Sequence, residues 1–247
     1  DLHPATFVTF IENHDQTSNT LGGKRVHQRT SPGRFRAMTA LMLLAPGTPM
    51  LFQGQEFSTS RPFLFFADHE ADLAKLVRKG RAKFLEQFPS LATREAQERL
   101  PDPSAIATFE ACKLDFNERE RNIEAVALHR DLLKLRREDP LFSAQRPREF
   151  DGAVLGPEAF VLRFFAEDGD DRLLIVNLGR DLRLDPAPEP LLAPPEKKRW
   201  ETLWSSEDPR YGGEGTPPLD GEEGWRIPGH AAVALRPAAV EENEQSV

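Results

Sequence analysis

The first apolar run of the chain ends abruptly in a polar cluster, and this feature restricts the possible folds most. Residues 7–11 are aromatic or β-branched, and Glu12-Asn13-His14-Asp15 follows at once. A second run, residues 49–52, ends in the polar residues 53–56. Short continuous apolar runs are typical of strands buried on both faces of a parallel sheet. Two such strands with polar carboxyl ends indicate an α/β fold.

Helical patterns separate and follow these two strands. Ser31 is a candidate N-cap with Pro32 at the first helical position, and Pro46-Gly47 would stop the helix. Two further amphipathic helices are predicted at residues 73–88 and 125–138, the first with an apolar face of Leu73, Leu76, Val77, Gly80 and Phe84. The order strand, helix, strand, helix predicts a parallel sheet.

The pattern changes near Leu141. Apolar runs at residues 159–165, 172–178, 200–204 and 231–235 are separated by Gly, Asp and Pro turns, without helical spacing. We therefore predict an α/β domain at residues 1–140, an antiparallel β-sandwich at residues 141–238, and a disordered acidic tail at residues 239–247.

Two strand–helix units cannot close a barrel, because a barrel needs eight strands and roughly 250 residues. The simplest explanation is that further strands precede the present ones. The expected fold class is thus α/β followed by all-β: the last two βα units of a (β/α)8 TIM barrel, then the β-sandwich.

Composition excludes several classes of function. The net charge is -8 and the basic residues are dispersed, so no nucleic-acid partner is expected. Apolar runs are too short for a membrane span, and no signal-peptide pattern begins the chain. The lone Cys112 fits a reducing compartment and reads as a packing residue. We expect a soluble, cytoplasmic protein.

Asn13-His14-Asp15 is the segment whose side chains are best suited to catalysis or ligand binding. Side chains at the carboxyl end of a barrel strand point into the mouth where catalysis occurs. There a carboxylate can grip sugar hydroxyls as an oxocarbenium-like state forms, and a neighbouring imidazole can donate to the same hydroxyls. On the residues alone, an Asx-turn with a hydrogen-bonded histidine is the favoured interpretation. No metal site is predicted, because no third and fourth ligands follow at recognisable spacing.

Residues 7–16 resemble the fourth conserved region of the α-amylase superfamily, at the end of barrel strand seven. More narrowly, the chain resembles the malto-oligosyltrehalose trehalohydrolase family. The resemblance runs from about Thr6 to Pro237. Asn13-His14-Asp15-Gln16 indicates the superfamily, and the member is indicated by residues 48–56, 62–69, 128–132, 207–213 and 227–230.

The resemblance implies roles for several residues. Asp15 would be the third catalytic carboxylate, which stabilises the transition state by binding two sugar hydroxyls. His14 and Gln16 would bind substrate beside it. Asp68 and His69 are also predicted to bind substrate, because they follow an aromatic loop that can line a sugar groove. The nucleophilic aspartate and the general-acid glutamate of the family lie on earlier strands, and their motifs are not in this sequence. No cofactor is implied.

Some residues depart from the family pattern or allow a structural interpretation. The family often has Gly-Asn-Arg shortly after the glutamine, whereas this chain reads Ser18-Asn19-Thr20, and Arg25 lies farther along. Glu56 is interpreted as a buried structural acid bonded to loop backbone. Packing or structural roles are also open to Phe63, Phe65, Phe66, His129 and His230.

The function implied is hydrolysis of the α-1,4-glucosidic bond next to the trehalose end of malto-oligosyltrehalose, releasing trehalose. The partners would be a malto-oligosaccharide-type substrate and a missing N-terminal part of the same enzyme, without which the chain is expected to be inactive. One alternative is a glycogen-branching or other α-glucan transglycosylase. Branching enzymes tend to place Glu after the His-Asp pair, so Gln16 favours the hydrolase. A second alternative is a non-catalytic carbohydrate-binding module.

Overall fold

The computed structural model describes residues 2–146, 149–221 and 224–240. The chain divides into two compact units. The first unit comprises Asp1–Thr9, Ser31–Met50 and Ala127–Val247, and the second comprises Phe10–Thr30 and Leu51–Val126. The domain boundary expected near residue 140 stays a prediction. Of the predicted tail, Ala239 still belongs to a strand, and residues 241–247 lie outside the described part of the chain.

Helices and strands follow one another in a mixed order before residue 145, and strands dominate after it. The helices are α1 (His14–Ser18), α2 (Pro32–Leu44), α3 (Ala71–Leu85), α4 (Arg94–Glu98), α5 (Ile106–Cys112), α6 (Glu118–Arg121), α7 (Ile123–Glu138) and α8 (Pro140–Ala144). The strands are β1 (Val8–Thr9), β2 (Thr48–Pro49), β3 (Phe150–Gly156), β4 (Ala159–Phe164), β5 (Arg172–Asn177), β6 (Leu182–Leu184), β7 (Lys198–Ser205), β8 (Asp220–Gly221), β9 (Gly224–Ile227) and β10 (Ala231–Ala239).

The first unit contains the predicted parallel strand pair. Val8 of β1 lies opposite Thr48 of β2, and helix α2 connects the two strands. The helix begins as expected, because the Ser31 side chain accepts a hydrogen bond from the Arg34 amide at 3.3 Å and Pro32 occupies the first position. The strand–helix–strand order read from the sequence is therefore present, in strands of two residues each.

The expectation that these strands are buried on both faces is wrong. Phe7 is 55% exposed and Val8 is 57% exposed, and Met50, which follows β2, is also exposed. The physical reason is that, among the described residues, β1 and β2 pair only with each other. A sheet of two strands has few neighbouring side chains and packed layers to cover its faces, so these apolar side chains remain in solvent.

Two antiparallel sheets form most of the rest of the first unit. The five-stranded sheet has the order β3-β4-β5-β10-β7, and the three-stranded sheet has the order β6-β9-β8. Their apolar side chains meet in one core, to which Val161, Ile175 and Val233 contribute from the larger sheet and Trp225 and Ile227 from the smaller. The predicted antiparallel β architecture is thus present.

Helix α2 packs against β5 and β10 of the larger sheet. A nearly buried ion pair accompanies this packing: Nη2 of Arg36 donates to both carboxylate oxygens of Glu207 at 2.8 Å, and its Nε donates to the Ser206 carbonyl at 2.8 Å. His230 is structural, as interpreted, because its Nδ1 lies 3.2 Å from the Ser31 hydroxyl and its Nε2 lies 3.2 Å from Nη2 of Arg34.

Helix α7 supplies further core to the first unit. Leu128 and Leu132 are buried, as the apolar spacing predicted. His129 is 2% exposed and its ring faces Phe35 at 6.5 Å between centroids, which fits a packing role. Arg136 of the same helix donates to the carbonyls of Leu43, Ala45 and Gly47 at 2.7–2.9 Å, so it satisfies backbone groups left open at the end of α2.

The second unit consists of short helices and loops. Helix α3 forms where it was predicted but ends at Leu85, not at residue 88. Its predicted apolar face is largely exposed: Leu73 is 48%, Leu76 67% and Phe84 47% exposed, and Leu85 is the buried residue of the helix. In the described part of the chain, no helix is both long and apolar enough to cross a membrane.

Candidate functional site

The segment after β1 turns into a short helix that presents its first two side chains to solvent. Asn13 is extended and its side-chain oxygen accepts a hydrogen bond from the Gln16 amide at 2.8 Å, which starts α1. Asn13 therefore has the structural role foreseen for an Asx motif. His14 and Asp15 have no such capping role. Their side chains are 66% and 75% exposed, and Nε2 of His14 lies 3.5 Å from Oδ2 of Asp15.

Asp15 and Gln16 line a solvent-open cavity of about 660 Å³ in the second unit. Lys24, Gln28 and Arg29 also contribute polar groups, and the remaining lining residues are Asn19, Thr20, Leu21, Phe88 and Ser90. The cavity thus combines hydrogen-bonding groups of both charges with apolar surface from two rather distant parts of the sequence. Such a surface can bind a ligand rich in hydroxyls that also has apolar faces.

A buried ion pair with Arg25 holds Glu12, the residue directly before Asn13, in place. Arg25 is 0% exposed and Glu12 is 1% exposed, and Nη1 of Arg25 lies 3.5 Å from Oε1 of Glu12. The other carboxylate oxygen of Glu12 accepts from the Val26 amide at 2.8 Å. Arg25 donates further to the carbonyls of Arg61 at 3.1 Å and Gln53 at 3.0 Å. The pair therefore joins three separate segments of the second unit.

Complete burial prevents Arg25 from replacing the arginine that the family pattern has shortly after the glutamine. Its guanidinium lies 4.9 Å from the centroid of the Phe52 ring and has no exposed surface. Burial lowers the pKa of Arg25, and the charge of Glu12 opposes that shift. Arg25 is therefore a structural residue of the second unit and does not reach a ligand in the cavity.

The turn Val26–Gln28, which leads into the cavity wall at Gln28, contains a perturbed histidine. Burial, helped by the positive charge of Arg25, lowers the pKa of His27 to about 4. An unfolded histidine titrates near 6.5. His27 is thus neutral in the folded chain at pH values where the unfolded chain binds a proton.

This difference predicts a pH-dependent stability. Because the folded pKa is depressed, the contribution of His27 is fully present above pH 6.5 and is lost as the pH falls from 6.5 to 4. The loss is at most roughly 3 kcal/mol, reduced by the partial exposure of the ring. Urea unfolding at pH 7.5 and pH 4.5 should show a smaller drop for His27→Gln than for the wild type.

The matched control is His3→Gln, which alters an exposed histidine of the first unit. That variant should follow the wild-type profile. Equal pH dependence of His27→Gln and the wild type would contradict the assignment to His27.

The other predicted binding residues lie apart from this cavity lining. Asp68 and His69 are both exposed, directly before α3, and neither is among the residues that line the cavity with Asp15. Their substrate-binding role stays a prediction. In the preceding loop, Phe63 packs between Phe52 and Phe66 at 5.0 and 5.9 Å between ring centroids, so Phe63 belongs to an aromatic cluster.

Two further expectations can be compared with the structure. Glu56 is not a buried acid bonded to backbone: its side chain is 36% exposed and pairs with Arg119 at 3.2 Å. Cys112 is buried and its sulfur accepts from the Leu64 amide at 3.1 Å, as suits a packing residue. No group of three or more His, Cys, Asp and Glu side chains in the described ranges is arranged to hold a metal ion.

One residue next to the site, Arg81, is not predicted by any pattern in the sequence. It lies on α3, more than sixty positions after Asp15, and its Nη2 donates to the side chain of Asn19 at 2.6 Å. Nothing in the amphipathic spacing of α3 distinguishes this arginine from Arg78 one turn earlier. Only the folded contact between α3 and the end of α1 identifies it.

Comparison with known proteins gives matches to both parts of the chain. Residues 147–234 match the family model described as "Domain of unknown function (DUF3459)". A malto-oligosyltrehalose trehalohydrolase of Deinococcus radiodurans is 40% identical over 185 residues, which are 74% of this chain and 30% of the relative. Its counterpart in Arthrobacter ramosus is 37% identical over 156 residues, 62% of this chain and 26% of the relative. The chain therefore spans less than a third of the length of these relatives.

Solved structures extend the similarity to nearly the whole chain. A crystal structure from Salmonella typhimurium, provisionally described as an alpha amylase, matches with a TM-score of 0.70 and 30% identity, covering 94% of this chain and 35% of that one. A trehalose-6-phosphate hydrolase of Bacillus licheniformis matches with a TM-score of 0.54 and 15% identity, covering 94% and 43%. The second likeness shows the fold alone.

Proposed function

We propose that this chain, which is similar to about 30% of the length of a malto-oligosyltrehalose trehalohydrolase, is the C-terminal part of such an enzyme and contributes one wall of its active site. The reaction would be hydrolysis of the α-1,4-glucosidic bond next to the trehalose end of malto-oligosyltrehalose, with release of trehalose. The observation that carries the proposal is Asp15: its carboxylate is exposed, lies beside His14, and lines the cavity together with Gln16.

Asp15 is suited to stabilising a transition state. Positive charge develops on the sugar ring as the glycosidic bond breaks, and hydroxyl groups of that ring become better donors to an anion. A carboxylate that accepts from two of them therefore binds the transition state more tightly than the substrate. The neighbouring imidazole of His14 can donate to a hydroxyl oxygen, which would orient the same sugar.

The nucleophile and the general acid are proposed to lie in a preceding part of the enzyme. A relative of this kind has room for these groups outside the matched part, since this chain spans only 30% of the Deinococcus protein. The exposed side chains of Phe7 at 55% and Val8 at 57% support it also, because the surrounding strands and helices of a complete barrel would cover them. On this proposal β1 and β2 are the last two strands of a (β/α)8 barrel, and the mechanism is a retaining double displacement.

Product analysis tests this function. The enzyme that contains this chain should release trehalose from maltosyltrehalose, whereas the isolated 247-residue chain should release none. Formation of new branches or longer glucans from amylose would instead show a transglycosylase. Calorimetric binding of maltodextrin by both proteins without turnover by either would show a carbohydrate-binding module and overturn the proposal.

A further inference from the structure

Arg81 of α3 contacts the end of α1, the helix that bears Asp15. Its Nη2 donates to Oδ1 of Asn19 at 2.6 Å and to the carbonyl of Ser18 at 3.1 Å, with Oγ of Ser18 at 3.5 Å. The last carbonyls of a helix have no partner within it, and a cation there also interacts favourably with the helix dipole. Arg81 thus closes the C-terminal end of α1.

Ser18 and Asn19, which accept hydrogen bonds from Arg81, also donate hydrogen bonds to the carbonyl of Asp15. The carbonyl of Asp15 accepts from the Asn19 amide at 3.0 Å and from Oγ of Ser18 at 3.2 Å. Asn19 also lines the cavity beside Asp15. A displacement of Arg81 would therefore reach the backbone of Asp15 through one intermediate residue.

Aromatic rings fix the guanidinium of Arg81 in place. Its Cζ lies 4.8 Å from the centroid of Phe65 and 5.4 Å from that of Phe84. Cation–π contacts of this kind restrain a long side chain that would otherwise be mobile. Burial lowers the pKa of Arg81, while the negative charge of Asp15 opposes the shift. The two rings and the contacts to Ser18 and Asn19 together hold the guanidinium at the end of α1.

We propose that Arg81 is a positioning residue for catalysis, which fixes the orientation of the Asp15 carboxylate and the Asn19 side chain by clamping the C-terminal end of α1. The inference rests on the function proposed for Asp15. It assigns Arg81 no contact with substrate. A side chain that acts in this way affects the rate more than substrate affinity, because a misplacement of about 1 Å at the reacting groups can lower a rate by about a hundredfold.

The test compares Arg81→Met with Arg81→Lys in the enzyme that contains this chain. Methionine has nearly the helix propensity of arginine but neither charge nor donor, whereas lysine keeps the charge and one donor group. For Arg81→Met we expect kcat on maltosyltrehalose to fall by about 10- to 100-fold with a much smaller change in KM. Arg81→Lys should recover part of the loss.

The matched control is Arg78→Met on the same helix. Arg78 is exposed and pairs with Asp102 at the surface at 2.9 Å, so kcat and KM should stay at wild-type values. Hydrogen exchange supplies a readout independent of activity. Amides of residues 14–20 should exchange faster in Arg81→Met, while other amides of the second unit keep their wild-type rates.

An unchanged kcat in Arg81→Met would overturn the proposal, and so would a rise in exchange spread evenly over the second unit, because that pattern indicates a general loss of stability. If Arg81→Met does not fold, Arg81→Lys decides by the same two measurements with smaller changes. An inactive wild-type enzyme would refute the proposed function instead. Exchange at residues 14–20 would then still show whether Arg81 restrains the Asp15 segment.

Discussion

Replacing Asp15 with alanine in the enzyme that contains this chain is expected to lower kcat by about three orders of magnitude. The carboxylate is 75% exposed and lines the cavity, so its removal should leave the fold intact while it deletes an interaction that strengthens in the transition state. Removal of one electrostatic stabiliser typically costs about 10²- to 10³-fold in rate, and removal of one member of a catalytic group costs up to about 10⁴-fold.

Steady-state kinetics on maltosyltrehalose would measure the effect. The control is Asp72→Ala, which removes an almost fully exposed aspartate of α3 whose surface partner is Lys75. That variant should retain wild-type kcat. Near-normal activity of Asp15→Ala would remove the role assigned to Asp15, whereas a raised KM with unchanged kcat would make it a residue for uniform substrate binding.

Glu12→Ala is expected to destabilise the folded chain by about 3–5 kcal/mol, because it leaves the buried guanidinium of Arg25 without its counter-charge. Arg25 is 0% exposed, and water cannot reach it without local opening. The substitution also removes the acceptor of the Val26 amide. The loss should therefore exceed that of an ordinary core methylene deletion.

Urea unfolding of wild type and variant would measure this difference as a shift in the transition midpoint. Glu56→Ala is the control in the same unit, since it also removes one carboxylate from an arginine pair. The Glu56–Arg119 pair is exposed, so its loss should cost less than about 1 kcal/mol. Equal losses of stability in the two variants would mean that burial of the Arg25–Glu12 pair does not increase its contribution to stability.

Local sequence signals predicted much of the backbone. Ser31 and Pro32 mark the start of α2, and Pro46-Gly47 follows its end closely, because capping and proline act within one helical turn. The apolar runs at residues 159–165, 172–178, 200–204 and 231–235 correspond to β4, β5, β7 and β10, because the apolarity of a strand is also a local property of the sequence. The Asx interpretation of Asn13 is in keeping with its position as the N-cap of α1, whereas the site roles of Asp15 and its neighbours stay predictions.

Burial and long-range pairing were harder to predict. Residues 7–11 read as a fully buried strand because periodicity reports the apolarity of a segment and not how many strands lie beside it. The apolar spacing of α3 likewise overestimates the burial of Leu76, which is 67% exposed. Arg25 lies near the position of an arginine in the family pattern, yet it pairs with Glu12 thirteen positions earlier, which local sequence does not predict. Arg81 could not be found at all, since its partners lie more than sixty residues away.

The Arg36–Glu207 pair limits how the C-terminal β region can be treated as a module. Excision of the β region, or its exchange for that of a relative, would strip Arg36 of both carboxylate contacts and of the Ser206 carbonyl, leaving a nearly buried cation on α2 unpaired. A hybrid protein should therefore inherit helix α2 and the residues 205–207 from the same parent. In evolutionary terms, substitutions at positions 36 and 207 are expected to occur together rather than independently.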